Sequence, residues 1–272
     1  VLVAAMMHAG WNLVAKRGRD GLVAMALIKL PNIALSCLVL LVVGLPGSES
    51  WGYLVASGAM NCLYFYFLIN AYRAGDLSLA YPVARGLAPL LVLALSAALA
   101  AEVPGAGALA GVVVTCAGIF ALAGRSRASS RDLATVSWAA GVAFCIAVYT
   151  LLDGLGARHS GNPVGYVAVL NIITGIVVCG TAVWRRGPAL GEAVRSDWKG
   201  GVLGGALMLS SYTIVVYAMT LAPLAQVAAL RESSVVFAAI LGALFLKEPF
   251  GAKRIAASFA VACGIAILAL AR

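Results

Sequence analysis

Apolar stretches of about 20 residues succeed one another along almost the whole chain, separated only by short polar segments. At about 1.5 Å of rise per residue each stretch is long enough, as a helix, to cross a hydrocarbon layer of about 30 Å. Lipid offers no partner to a backbone N–H or C=O, so only helices and closed barrels survive in it. The stretches lack the in-out alternation of barrel strands. The sequence therefore predicts an all-α polytopic membrane protein. Composition agrees, with 63% hydrophobic and 11% charged residues, where a soluble domain carries about 25% charge.

The stretches resolve into ten transmembrane helices: 1–15, 22–45, 52–72, 78–100, 105–124, 134–154, 163–184, 200–220, 224–246 and 251–270. The first has no basic leader, and Trp11 and Asn12 interrupt it, so it reads as a helix and not as a signal peptide. Trp51, Trp138, Trp184 and Trp198 fall at or beside span ends, the level that aromatic residues favour. The basic residues behind the net charge of +9 lie mostly in loops between spans, which points away from nucleic acid. Cys37, Cys62, Cys116, Cys145, Cys179 and Cys263 lie inside apolar spans without CxxC spacing, which predicts packing and neither metal nor disulfide chemistry. No cofactor is expected.

The second half repeats the first. A shift of 146 positions pairs Tyr66 with Tyr212, Arg85 with Arg231, Leu95 with Leu241, Glu102 with Glu248, Gly105 with Gly251 and Gly118 with Gly264. The domains are thus a first five-helix repeat (1–124), a basic inter-repeat loop (125–133) and a second five-helix repeat (134–272). An odd number of spans per repeat requires the two to be inverted. Loop charges agree: Lys16, Arg17, Arg19, then Arg125, Arg127, Arg131, then Arg185, Arg186, Arg195, Lys199, and finally Lys247, Lys253, Arg254 all fall on one face. The opposite loops hold a single basic residue, Arg158. The positive-inside rule puts the basic face in the cytoplasm and both termini outside. The expected location is a bacterial inner (plasma) membrane, in which the protein is integral and multi-pass.

"HAGWN" in span 1 (His8 to Asn12), Lys29 in span 2, and a Glu closing the fourth helix of each repeat ("AAEVPGAG", "LKEPFGAK") form a pattern. With "YPVARGLAPL" and "ALRESSVVFA", it resembles the EamA family of the drug/metabolite transporter superfamily (DMT) along essentially the whole chain. The resemblance implies two inverted five-helix repeats, a central cavity lined by the fourth and ninth helices, and spans 1, 3, 6 and 8 around it. Small multidrug relatives carry a cation-binding Glu in helix 1. Span 1 here has only His8, so cationic-drug antiport by that route is not expected.

Arg85 and Arg231 each lie about seven residues into their spans, roughly 10 Å below opposite surfaces, and so meet near the midplane. Inverted-repeat transporters bind substrate at that level. A guanidinium fork suits a carboxylate, phosphate or phosphonate, and a structural ion pair is the alternative role. Glu232 is about 100° of helix away from Arg231, which predicts that it faces another helix. Lys29, just before Pro31, reads first as a structural partner of a carboxylate such as Glu232 or Asp153, and second as a counter-charge to a bound anion. Trp11, Asn12, Tyr66, Asn70, Tyr149 and Tyr212 complete the substrate-binding candidates, led by the symmetric Tyr66 and Tyr212. His8, Glu232, Lys29 and Asp153 are the candidates for proton or charge coupling, with proton coupling one option among several. Glu102 and Glu248 read as caps or salt-bridge anchors, and the glycines of "GGVLGG" (200–205) as close-packing residues.

The expected function is secondary transport of a small polar metabolite, anionic or zwitterionic (an amino acid, organic acid or phosphonate), by alternating access. Its expected partners are that small molecule and the lipid bilayer. HExxH, GxSxG and paired intramembrane aspartates are missing from the sequence, so no enzyme is expected. The alternatives are a non-transporting membrane scaffold or subunit, or an exporter of neutral or cationic compounds.

Overall fold

The computed structural model describes residues 1–16, 18, 20–74, 77–122, 130–246 and 252–271. Arg17, Arg19, Arg125, Arg127, Lys247, Glu248 and Gly251 lie outside them, as do the side chains of Arg131, Lys253 and Arg254. The described residues are helical and form no strand. The helices are α1 (Leu2–Lys16), α2 (Gly21–Val43), α3 (Trp51–Ala74), α4 (Leu77–Leu99), α5 (Ala106–Phe120), α6 (Ser130–His159), α7 (Pro163–Leu221), α8 (Leu224–Arg231), α9 (Ser234–Leu246) and α10 (Ala252–Leu270). Among the described residues, six helical stretches are long and apolar enough to cross a membrane: Gly21–Val43, Ser48–Ala71, Leu79–Leu99, Leu133–His159, Pro163–Leu221 and Leu224–Leu241.

Local chemistry sets the helix ends. The Asp20 carboxylate accepts from the N–H groups of Leu22 (2.9 Å) and Val23 (3.2 Å) and caps α2. At the far end Gly44 turns the chain with φ 77°, a left-handed conformation that costs a glycine nothing. Asn162 caps α7 by accepting from Gly165 N (2.9 Å), with Pro163 opening the helix.

Two helices depart from the expected spans. The segment 185–199, expected as a loop, stays mostly helical within α7 and is broken only at Arg186 (φ −144°) and Asp197 (φ −139°). Pro188 starts this middle piece, and "ALGEAVR" after it contains mostly good helix formers. The expected ninth span is interrupted: α8 ends at Arg231 and α9 begins at Ser234. Between them the backbone tightens to three-residue hydrogen bonds, Glu232 N to Ala229 O (3.0 Å) and Ser233 N to Leu230 O (3.2 Å).

The interior is rich in small side chains, and many bulky apolar ones point outward, as lipid favours. Leu41 (83%) and Val42 (86%) are among the most exposed residues, while Ala4, Ala26, Ala139 and Ala229 are fully buried. Cys116, Cys145 and Cys179 pack in the interior as expected, whereas Cys37 and Cys62 are on the outer face. Helices α2 and α7, α3 and α6, α5 and α10, α4 and α6, and α1 with both α7 and α9 are the principal packing partners. A Cβ on Gly264 of α10 would sit 2.3 Å from Thr115 Oγ1 and 2.6 Å from Thr115 N of α5. A Cβ on Gly205 of α7 would meet Ile28 O of α2 at 2.8 Å. Both approaches exclude any side chain larger than hydrogen.

The loops identify two faces. On one, Gly47 N donates to Ser160 O (2.8 Å) and Asn162 Nδ2 to Val43 O (2.8 Å). On the same face Arg158 joins the loops after α4 and α7. On the other face Asp20 pairs with Arg186 at 2.9 Å.

Candidate functional site

A cavity of about 360 Å³ is walled by α1, α2, α3, α4, α6, α7 and α8. Its wall includes Ala15 and Ala80, within a turn of the ends of α1 and α4, so it extends toward the basic face. On the opposite side, beyond Arg85, Tyr149 and Tyr212 along their helices, lies a buried apolar plug that includes Val92, Leu151, Val215, Met219 and Leu224.

Beyond the plug is a polar clasp. Arg158 Nη1 pairs with Glu102 Oε1 (2.5 Å), Nε donates to Met219 O (2.9 Å) and Nη2 to Ala222 O (3.1 Å). The second carboxylate oxygen, Glu102 Oε2, accepts the N–H of Leu224 at the start of α8 (2.8 Å). Glu102 is therefore both the salt-bridge anchor and the cap that its position before Pro104 and Gly105 predicted.

Arg85 and Arg231 both reach the cavity wall. Glu232 lies between them, 1% exposed, with Oε2 2.9 Å from Arg85 Nε and Oε1 3.9 Å from Arg231 Nε. Arg85 Nη2 also donates to Ser234 Oγ (2.9 Å). Neither Arg231 Nε nor Glu232 Oε2 has a partner in hydrogen-bond geometry, so charge and not alignment holds the cluster. The expectation that Glu232 faces another helix holds for its contact with α4. Its nearness to Arg231 is a contact between adjacent side chains, since the backbone at Glu232 keeps helical dihedrals (φ −66°, ψ −13°).

Lys29 also lines the cavity, but among the described residues no carboxylate receives it. Its Nζ donates to Asn171 Oδ1 (3.1 Å) and Thr174 Oγ1 (3.0 Å), so the pairing with Glu232 or Asp153 is corrected. Asp153 is fully buried behind the wall and accepts from the phenols of Tyr166 (3.1 Å) and Tyr212. Tyr212 lines the cavity and so links that carboxylate to it.

His8, Trp11, Asn12 and Tyr149 are on the wall as well. Asn12 turns its amide back to His8 O (2.7 Å), and the His8 and Trp11 rings meet edge to face at 4.9 Å. Tyr66 and Asn70 are not on the wall. Tyr66 is 57% exposed and packs beside Phe67 and Trp138, and Asn70 bonds Tyr66 O on the same outer side. The cavity face of α3 is Asn61, Tyr64, Phe65 and Leu68, a three-and-four spacing that leaves Tyr66 on the other side. Tyr64, Asn171 and Thr174 are site residues that the charge-led reading of the sequence missed.

An all-helical membrane protein with a charged chamber plugged at one end has the make-up of a solute transporter. The sequence model of the EamA-like transporter family matches residues 133–270, and the chain belongs to that family, whose members are membrane transporters of the drug/metabolite type. A solved structure described only as "Crystal structure of protein" is similar in fold, with a TM-score of 0.79 and 21% identity over 99% of this chain and 95% of that one. No curated protein matches the chain.

Proposed function

We propose that the protein is a secondary transporter of a small anionic or zwitterionic metabolite, working by alternating access between inverted five-helix repeats at 1–124 and 134–272. One observation carries the anion reading. Arg85, Arg231 and Lys29 are on the cavity wall, and no Asp or Glu is among the wall residues. Even with Glu232 and Asp153 both ionised behind the wall, cations are in excess. Unbalanced charge within a membrane is costly, and a bound anion offsets it.

The helix packing supports the repeats. The break in α7 divides it into a seventh and an eighth span, and α8 with α9 makes the ninth. Under exchange of halves, α3 against α6 becomes α1 against the second part of α7, where Gly10 abuts Leu207. Likewise α4 against α6 becomes α1 against α9. The plug and the Glu102–Arg158 clasp then form a closed outer gate, and the chamber extends to the basic, cytoplasmic side.

Ligand-induced thermal shifts test this on purified wild type and on Arg85→Ala with Arg231→Ala. Amino acids, organic acids and phosphonates would be compared with sugars and quaternary cations. Stabilisation by an anionic or zwitterionic compound, lost in the double variant, is the expected result. A response to sugars or cations that survives the double substitution refutes the reading.

A further inference from the structure

We infer that Lys29, held by Asn171 and Thr174, is a second anion-binding point in the chamber, and that the substrate carries two anionic groups, one for the arginine cluster and one for this ammonium. The inference rests on the anion reading above and narrows it.

The Lys29 site is built, and its parts come from distant segments. Asn171 donates its amide to Val167 O (3.0 Å) and Thr174 donates its hydroxyl to Leu170 O (3.0 Å), so both side chains are fixed on α7 with their oxygens turned to Nζ. Those two oxygens take two of the three donors of the ammonium. The third has no assigned acceptor among the described residues, and the side chain borders open chamber.

A strut between α2 and α7 would need only a neutral donor. A charge at mid-membrane is costly, and here two neighbouring oxygens reduce that cost while no carboxylate among the described residues cancels it. Bonded to two neutral oxygens, the ammonium keeps its full positive charge for a third partner. The arginine cluster differs, because Glu232 already neutralises part of it. A dianion completes both ends. A zwitterion would bring its ammonium to a wall that lacks any carboxylate.

Dicarboxylates of three to six carbons would be titrated against the monocarboxylates of equal length, with apparent Kd taken from thermal shifts of wild type, Lys29→Gln and Lys29→Arg. Wild type is expected to prefer one dicarboxylate length by about tenfold or more, the value of one charged hydrogen bond. Lys29→Gln keeps the strut and should lose that preference, so that the favoured dicarboxylate binds no better than its matched monocarboxylate. Lys29→Arg should keep much of it. Equal binding of the matched pairs by wild type, or a preference that persists in Lys29→Gln, overturns the inference and leaves the anion reading standing. Should Lys29→Gln not fold, the wild-type comparison decides alone. If wild type binds no carboxylate but responds to a sugar or a quaternary cation, both readings fall.

Discussion

Removing the Glu232 charge alone should destabilise the protein more than removing it together with Arg85. At 2.9 Å and an effective dielectric of about 20, the attraction is about 6 kcal/mol. Desolvation of two buried ions consumes most of that, so the net worth of the pair is small. Deleting one partner is another matter, costing about 3–5 kcal/mol for a fully buried pair, because the survivor is left unpaired. Arg85 retains its bond to Ser234 Oγ and borders the open chamber. For Glu232→Gln that reduces the loss to about 2–3 kcal/mol. In the double variant with Arg85→Gln, two neutral amides can bond each other, and the loss should be about 1 kcal/mol. The cycle then yields a coupling of roughly 2 kcal/mol or more. Equilibrium unfolding in mixed micelles measures it. A coupling below about 0.5 kcal/mol, the ordinary error of additivity, would refute the claim that the contact is energetically real.

Further outcomes follow from other parts of the structure. Gly264→Val should lose about 1–3 kcal/mol or more by driving α5 from α10, whereas Gly180→Ala, with open space around it, should not destabilise; thermal unfolding separates the two. Arg158→Gln should loosen the clasp. A single cysteine at Val215 in the plug, 2% exposed, should then react with a hydrophilic maleimide that leaves it untouched when Arg158 is present. In the loop before α2, the Arg186 guanidinium and the N–H groups of Val23 and Leu22 hold the Asp20 carboxyl below its usual range. A depressed folded value means that the stabilisation is complete above about pH 4 and is lost as pH falls through the folded value. Asp20→Asn should therefore lower the unfolding midpoint at pH 7, and the gap to wild type should narrow as pH falls below about 4; a gap independent of pH would refute this.

Much of this was legible from hydropathy and charge. Ungapped apolar runs define the helices, because lipid requires each to be closed on its own hydrogen bonds. Arg85 and Arg231 stood out as charges too deep to reach water. The missed features share a cause: each depends on a neighbour remote in sequence or on the course of a side chain. Glu232 faces α4 as the 100° step predicts, and its 3.9 Å approach to the adjacent Arg231 is a side-chain contact that the step does not indicate. Asn171 and Thr174 are unremarkable polar residues until α7 packs on α2 and turns them to Lys29. Tyr66 was chosen for its symmetry with Tyr212, although the three-and-four spacing of Asn61, Tyr64, Phe65 and Leu68 already indicated which side of α3 faces inward.

The contact between α5 and α10 has a mechanical consequence. Gly111, Gly118 and Gly264 let the two backbones touch, and a Cβ at Gly118 would be 2.9 Å from Val261 N. Helices so close cannot roll on one another without collision, which makes the pair a stiff axle. Bending is then left to segments whose backbone bonding is already incomplete or irregular, the prolines Pro82 and Pro89 of α4 and the tightened turn at 232–233. Those are the segments next to Arg85 and Arg231. In the transport cycle proposed above, such bending would act first on the residues proposed to hold the substrate.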